Sequence, residues 1–359
     1  MNAENRAASP PRTFFLSPFP SLRLTNILDH GGEAFVLAFP GSIVFKCPIR
    51  WGYKGDLPEK AVKSAQIKEY VSQESMAVEK KIFQLLKNRP HQNIIPALMI
   101  VSEGIFLPRM QSTLEDRVIR YRDLHFEEWH ASDELRLRWA SQIISASVWL
   151  ESLGYSQGDL APRNLLLDYH SNIKLSDFGE AVPIGGESQC GSPPYVPFAF
   201  ETRDHKSDQY AIGWVFYFLY KDIPSDWDGP YTVEEICELT FPAIDDLFLG
   251  PIIQKCWHLH YDSLASLQID LQETLSTSFS WNQRLVHCLK DSVVRIWDTL
   301  IHYVMWYKCS QIYSKLRCGG LMTTAENAPD SLDYKHAIDE MEKPLCRTTK
   351  YGEICPPVF

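Results

Sequence analysis

The sequence predicts an α+β fold, and three observations carry that expectation. Between residues 22 and 110 the apolar segments are short and are interrupted by Gly and Pro, the pattern of strands joined by tight turns. Within that region one segment, Glu69–Asn88, has helical periodicity instead. Beyond it the chain is mostly helical in pattern, with long segments of 3.6-residue period. A small strand-rich part is therefore expected to precede a larger helical part.

The elements follow in order. Residues 1–20 contain four prolines and few periodic apolar positions, and read as a flexible leader, with the boundary set at residue 21. From Leu22 to Arg50, NILDH, AFVLAFP and SIVFKCP form an antiparallel meander separated by Gly-Gly and Pro-Gly turns. Residues 52–67 read as a loop. In Glu69–Asn88, Val78, Ile82, Leu85 and Leu86 line one face, and Pro90 ends the helix. ALMIVSEGIFLPRM gives two strands about a Glu-Gly turn. Asp133–Leu153 is a helix closed by Gly154. After it come a loop, the short strands NLLLD and IKLSD, a Gly/Pro-rich loop over Pro183–Pro197, a buried helix from about Ser207, and further helices to about Leu275. The segment after residue 280 is rich in Trp, Cys and apolar residues and could form one or two helices, with Gly319–Phe359 loosely ordered.

Composition excludes several classes. The chain has 359 residues, 45% of them hydrophobic, enough for a sizeable core. Its formal charge of −10 argues against a nucleic-acid binder, which needs a basic face. The longest apolar runs, Tyr210–Tyr220 and Ile301–Tyr307, are too short to span a bilayer, which takes about 18 residues. The N-terminus has no continuous apolar stretch of the secretory kind. The nine cysteines lack metal-ligand or disulfide spacing. An intracellular protein, cytoplasmic or nuclear, without a membrane or nucleic-acid partner, is expected.

The chemistry concentrates in QGDLAPRN (Gln157–Asn164) and SDFGEA (Ser176–Ala181). Asp159 is followed by Asn164 five residues on, and by Asp177 thirteen residues after that. The intervening residues are two apolar runs around a turn, which would bring the oxygen-bearing side chains to one side. Upstream lie a Gly-Gly turn in DHGGEAFV, a lysine in SIVFKCP and a helical Glu79 that shares its face with Ile82, Phe83 and Leu86.

In these motifs the chain resembles the protein kinase superfamily over about residues 22–275. The resemblance implies a bilobal fold: an N-lobe of antiparallel sheet plus one helix over residues 22–110, a larger, mainly helical C-lobe over 111–277, and an extension of unknown role over 278–359. It implies an ATP- and Mg²⁺-dependent transfer of the γ-phosphate to a protein hydroxyl. Lys46 would pair with the phosphates and with Glu79, for which Glu74 is the rival. Asp159 would orient the acceptor hydroxyl, and Asn164 and Asp177 would hold Mg²⁺. Leu28, Gly31, Gly32, Val36 and Leu166 would surround the nucleotide, with Val44 over the adenine. Asp208 would be the buried carboxylate that opens a central helix and accepts catalytic-loop N–H groups, although Ser207-Asp208 also reads as an N-cap.

The departures matter equally. Gly158 stands where the family has an Arg that receives an activation-loop phosphate, so regulation by that phosphate is not expected. Gln157 replaces a His and retains hydrogen-bonding capacity. Ala161 replaces a Lys, and Arg163 could supply the missing charge. The Ala-Pro-Glu motif is not clean, and HLHYDSLASL lacks the Arg that pairs with its Glu. Two other readings remain open at this point: a nucleotide-binding pseudokinase acting as an interaction module, and a small-molecule phosphotransferase of the aminoglycoside or choline kinase type.

Overall fold

Strand pairing in the N-terminal third follows from alternation. The structure, a computed structural model, describes residues 12–19, 27–30, 34–124, 132–187, 193–195, 202–223, 241–278 and 301–317. Five strands form an antiparallel sheet: β2 (Ile27–His30), β3 (Ala34–Phe39), β4 (Ile43–Pro48), β6 (Met99–Val101) and β7 (Gly104–Pro108), in the order β2-β3-β4-β7-β6. Successive side chains alternate between faces. Ala34, Val44, Ile105 and Leu107 join the core beneath the sheet, with Val36 packed against it. Phe35, Leu37, Ile43, Phe45, Cys47 and Phe106 join a separate core on the other face.

Two segments not expected to be ordered complete that second core. Arg12–Phe15 (β1), placed by the sequence in the flexible leader, pairs antiparallel with Trp51–Lys54 (β5), and Phe19 is fully buried against Phe45. The loop expected over residues 52–67 is instead the end of β5 followed by the first turns of a 30-residue helix, α1 (Glu59–Asn88). These turns are rich in Lys and Glu and bury little besides Ala65, so their sequence carries no apolar stripe. Leu85, expected on the buried face of α1, is largely exposed; Met76, Glu79, Ile82, Phe83 and Leu86 are buried.

Behind the sheet lies α7, the helical residues 301–317. Cys309 and Leu316 are buried in the second core, and Met305, Ile312 and Tyr313 pack against it. Part of the expected extension is thus folded onto the N-lobe. The stretch 319–359 lies outside the described residues.

The larger part is organised by helices. After β8 (Ser112–Thr113) and α2 (Leu114–Leu124) comes α3 (Asp133–Ser152), N-capped by the Ser132 side chain and ended before Gly154, which has φ +84°. α4 (His205–Phe218) is buried on every side from Ser207 to Phe218, the signature of a core helix. Its N-cap is Asp204, which forms a capping box with Ser207, so Asp208 is not the cap. The Cys-Trp helix α5 (Gly250–Trp257) packs so closely on α4 that a Cβ at Gly213 would lie 2.9 Å from Trp257. α6 (Leu264–Ser278) follows. The architecture is the expected α+β one, a small antiparallel sheet with one helix followed by a larger helical part.

Candidate functional site

The site lies where the inner face of the sheet meets the loops that follow α3. Lys46 sits on β4, opposite Val36 across the β3–β4 register, and points inward with Val44. α1 crosses behind it. Lys46 Nζ lies 2.8 Å from Glu79 Oε2 and 2.8 Å from Asp177 Oδ1. Glu79 is therefore the helical partner, and Glu74 is not.

Electrostatics sets the charge state of Lys46 and Asp177, whereas desolvation raises the pKa of the buried Glu79 and the Lys46 ammonium opposes this. Burial alone would lower the Lys46 pKa, but the Asp177 and Glu79 carboxylates outweigh it and raise it above the ordinary lysine value. Desolvation pushes Asp177 up, but the Lys46 ammonium more than offsets this and holds its carboxyl below the usual range. Lys46 and Asp177 are thus a charged pair at neutral pH, and the Asp177 side chain remains about half exposed.

The second half of the site is built by short strands. β9 (Tyr155–Ser156) pairs with β12 (Val182–Pro183), and β10 (Leu165–Leu167) with β11 (Ile173–Leu175). A 3-10 turn over Pro162–Asn164 leads into β10. The Ser176 N–H and hydroxyl both donate to the Asn164 carbonyl, at 3.0 and 2.8 Å, so the residue before Asp177 is tied to Asn164. Asp177 adopts φ +57°, and Phe178 turns into the core edge-on to Phe83, with ring centroids 5.4 Å apart.

Asp159 is held from two sides. Arg163 Nη2 donates to both of its carboxylate oxygens, at 2.6 and 2.7 Å, and Asn164 Nδ2 donates to its Oδ2 at 2.9 Å and its carbonyl at 2.7 Å. Desolvation raises the Asp159 pKa above the ordinary value; Arg163 and Asn164 oppose it without cancelling it. With its amide nitrogen engaged by Asp159, Asn164 is left with Oδ1 as the atom that could ligate a metal. An amide oxygen and a half-exposed carboxylate are hard donors suited to Mg²⁺.

Gln157 has a larger part than sequence reasoning gave it. It is buried, donates from Nε2 to the Asp177 carbonyl at 2.9 Å, and accepts at Oε1 from the Asp159 N–H at 2.7 Å. One side chain thereby bridges the two acidic residues. Gly158 has φ +81°, and a Cβ built there would lie 2.0 Å from the Glu180 carbonyl oxygen. Asp208 is buried, accepts from Ser156 Oγ at 2.8 Å and from the Gln157 backbone, and has a pKa raised by burial to about 7. Ser156 was not singled out in the sequence; a small hydroxyl residue beside an acidic loop has no distinctive pattern.

Of the residues expected around a nucleotide, Val36 and Leu166 pack against the core and Leu28 is 40% exposed on β2. Gly31 and Gly32 lie outside the described residues, as do Pro197 and Glu201 of the Ala-Pro-Glu region. In the stretch HLHYDSLASL, Leu264 is fully buried in the helical core.

Comparison with known proteins agrees with this arrangement. A family model described as "Protein kinase domain" matches residues 53–242, more than half of the chain. The chain is 30% identical over 126 residues to the cAMP-dependent protein kinase catalytic subunit PRKX of Mus musculus, covering 33% of this chain and 36% of that protein. It is 39% identical over 93 residues to the CBL-interacting serine/threonine-protein kinase 5 of Arabidopsis thaliana, covering 23% of this chain and 21% of that one. It is 36% identical over 106 residues to the serine/threonine-protein kinase grp of Drosophila melanogaster, covering 26% and 20%. The matched part therefore spans about a third or less of the length of each of these relatives.

Proposed function

The chain belongs to the protein kinase family, and we propose that it transfers the γ-phosphate of ATP to a protein hydroxyl with the help of Mg²⁺. One observation carries the reading: Lys46 is bonded to Glu79 and Asp177 at once, with Asp159 and Asn164 joined to Asp177 through Gln157 and Ser176. In this family the lysine–glutamate pair and the metal-binding aspartate must both be in place for transfer.

Each residue has a role that its surroundings suit. Lys46 holds the α- and β-phosphates, and Glu79 keeps the ammonium aimed at them. Leu28, Gly31, Gly32, Val36 and Leu166 enclose the nucleotide. Asn164 and Asp177 would hold Mg²⁺, which would supply positive charge against the phosphates. Asp159 accepts the hydrogen bond of the acceptor hydroxyl and orients it for in-line attack. Arg163 stands beside Asp159 and adds positive charge where Ala161 leaves none. Gly158 offers no receptor for an activation-loop phosphate, so transfer proceeds without that switch.

Mg-ATP at about 100 times its dissociation constant will stabilise the chain by about 2.7 kcal/mol in thermal unfolding. Asp177→Asn will lose most of that gain in the presence of Mg²⁺. A wild-type melting temperature unmoved by Mg-ATP is the behaviour of an interaction module without nucleotide, and would overturn the reading.

The Asp159–Arg163 pair predicts a pH effect. Asp159 must be ionised to orient the hydroxyl, so its protonation sets an acid limb in kcat/KM. Arg163 holds the Asp159 pKa down against desolvation. Arg163→Gln removes that opposition, so the acid limb moves to higher pH. A limb that stays in place or moves to lower pH contradicts the pairing.

A further inference from the structure

We propose, against the expectation of no membrane partner, that the outward face of α7 is a docking surface for an anionic lipid membrane, on which the described part of the chain rests without crossing it. Among the described residues no helix is long and apolar enough to span a bilayer, so contact of this kind is interfacial.

The inward face fixes the orientation of the helix. Cys309 and Leu316 are buried on the sheet, Tyr313 Oη donates to Glu103 at 3.2 Å, and a ring nitrogen of His302 lies 3.4 Å from the Ala97 carbonyl. The opposite face is thereby presented outward, and it is unusually apolar. Ile301, Tyr303, Val304, Trp306 and Tyr307 are 50%, 69%, 52%, 44% and 56% exposed, and the Tyr303 ring stacks on Trp306 at 6.2 Å. Five large apolar side chains are exposed within seven residues, a concentration of the kind found at interaction sites.

Charge and side-chain type select the partner. Residues 301–317 contain no Asp or Glu, yet carry Lys308, Lys315 and Arg317, in a chain whose formal charge is −10. At about 100° per residue, Tyr303 and Tyr307 face directly away from the sheet. Trp306 flanks them on one side, where the Arg317 guanidinium turns back over the Tyr313 ring, and Lys315 and Lys308 on the other, with Lys308 reaching toward the turn at Gly41. Aromatic rings with polar tips at the centre and long cations at the margins match the headgroup–acyl boundary of an anionic bilayer. The aromatic rings alone would suit a protein interface equally well; the lysines and the absence of any carboxylate on the helix are what favour an anionic lipid surface. The patch lies behind the sheet, on the face away from Lys46, so the inference does not depend on phosphotransfer.

The test is co-sedimentation of the full chain with phosphatidylcholine vesicles, with and without about a third phosphatidylserine. The chain will pellet with the anionic vesicles only, and binding will weaken as salt rises. Tyr303→Ser/Tyr307→Ser will weaken vesicle binding about tenfold or more with an unchanged melting temperature, since both side chains are exposed. Lys308→Glu/Lys315→Glu will do the same. Three results overturn the proposal: no binding to either vesicle, equal binding to both, or a solution dimer that the tyrosine variant dissociates while lipid binding persists.

Discussion

Lys46→Met will destabilise the chain by about 3–5 kcal/mol in chemical denaturation and abolish stabilisation by Mg-ATP. The side chain of Glu79 is 2% exposed and its ion-pair partner is Lys46. Removing the ammonium leaves a carboxylate with little access to water, the costly way to break a buried pair. Asp177 suffers less, because its half-exposed side chain is solvated. The double variant Lys46→Met/Glu79→Leu separates the two consequences. It removes the stranded charge, so most of the stability returns, while the nucleotide response stays absent because no cation meets the phosphates. A single variant as stable as the wild type would show that the buried pair is not formed.

Gly158→Arg will not install a phosphate-responsive switch; it will destabilise the chain by about 2–6 kcal/mol and disorder the catalytic loop. The cost has two parts. A side chain at φ +81° is strained, and its Cβ would lie 2.0 Å from the backbone oxygen of Glu180, which has no flexible end to swing aside. Gly154 isolates the first part: it has φ +84° and nothing within 4 Å of a Cβ built there. Gly154→Ala will therefore cost only about 1 kcal/mol, and Gly158→Ala clearly more. Equal costs at the two positions would mean that the Glu180 backbone yields freely. The close approach also explains the residue. The segment after Asp-Phe-Gly lies directly on the loop at Gly158.

Much of the site was legible because its residues are close in sequence and chemically distinctive. Asp159, Asn164 and Asp177 lie within 19 residues, joined by two apolar runs around a turn, and the structure gathers them as that spacing implies. Glu79 was identifiable because its helical face is apolar. What could not be read depends on contacts between distant segments. Nothing in RTFF indicates that it pairs with WGYK some forty residues later, or that Phe19 fills the space over Phe45. The first turns of α1 bury little, so they carry no periodic signal. The face of the sheet that α7 covers is as apolar as the one over the cleft, and alternation along β3 and β4 does not tell which face meets which partner. Gln157 illustrates a different gap. Its identity as a departure from His was evident, but its bridge between Asp159 and Asp177 depends on two backbone atoms brought together by the fold.

If Asp159 orients the acceptor hydroxyl for phosphate transfer, its replacement must slow transfer while nucleotide binding survives. Radiolabel carried from the γ-position of ATP to protein, compared between the wild type and Asp159→Asn at saturating Mg-ATP, tests this most directly. Asparagine keeps the size of Asp159 but cannot take up the hydroxyl proton, so the account predicts a fall in transfer rate of about 10²–10⁴-fold with Mg-ATP stabilisation retained. Equal transfer by the two proteins, or none above background by the wild type, would contradict it.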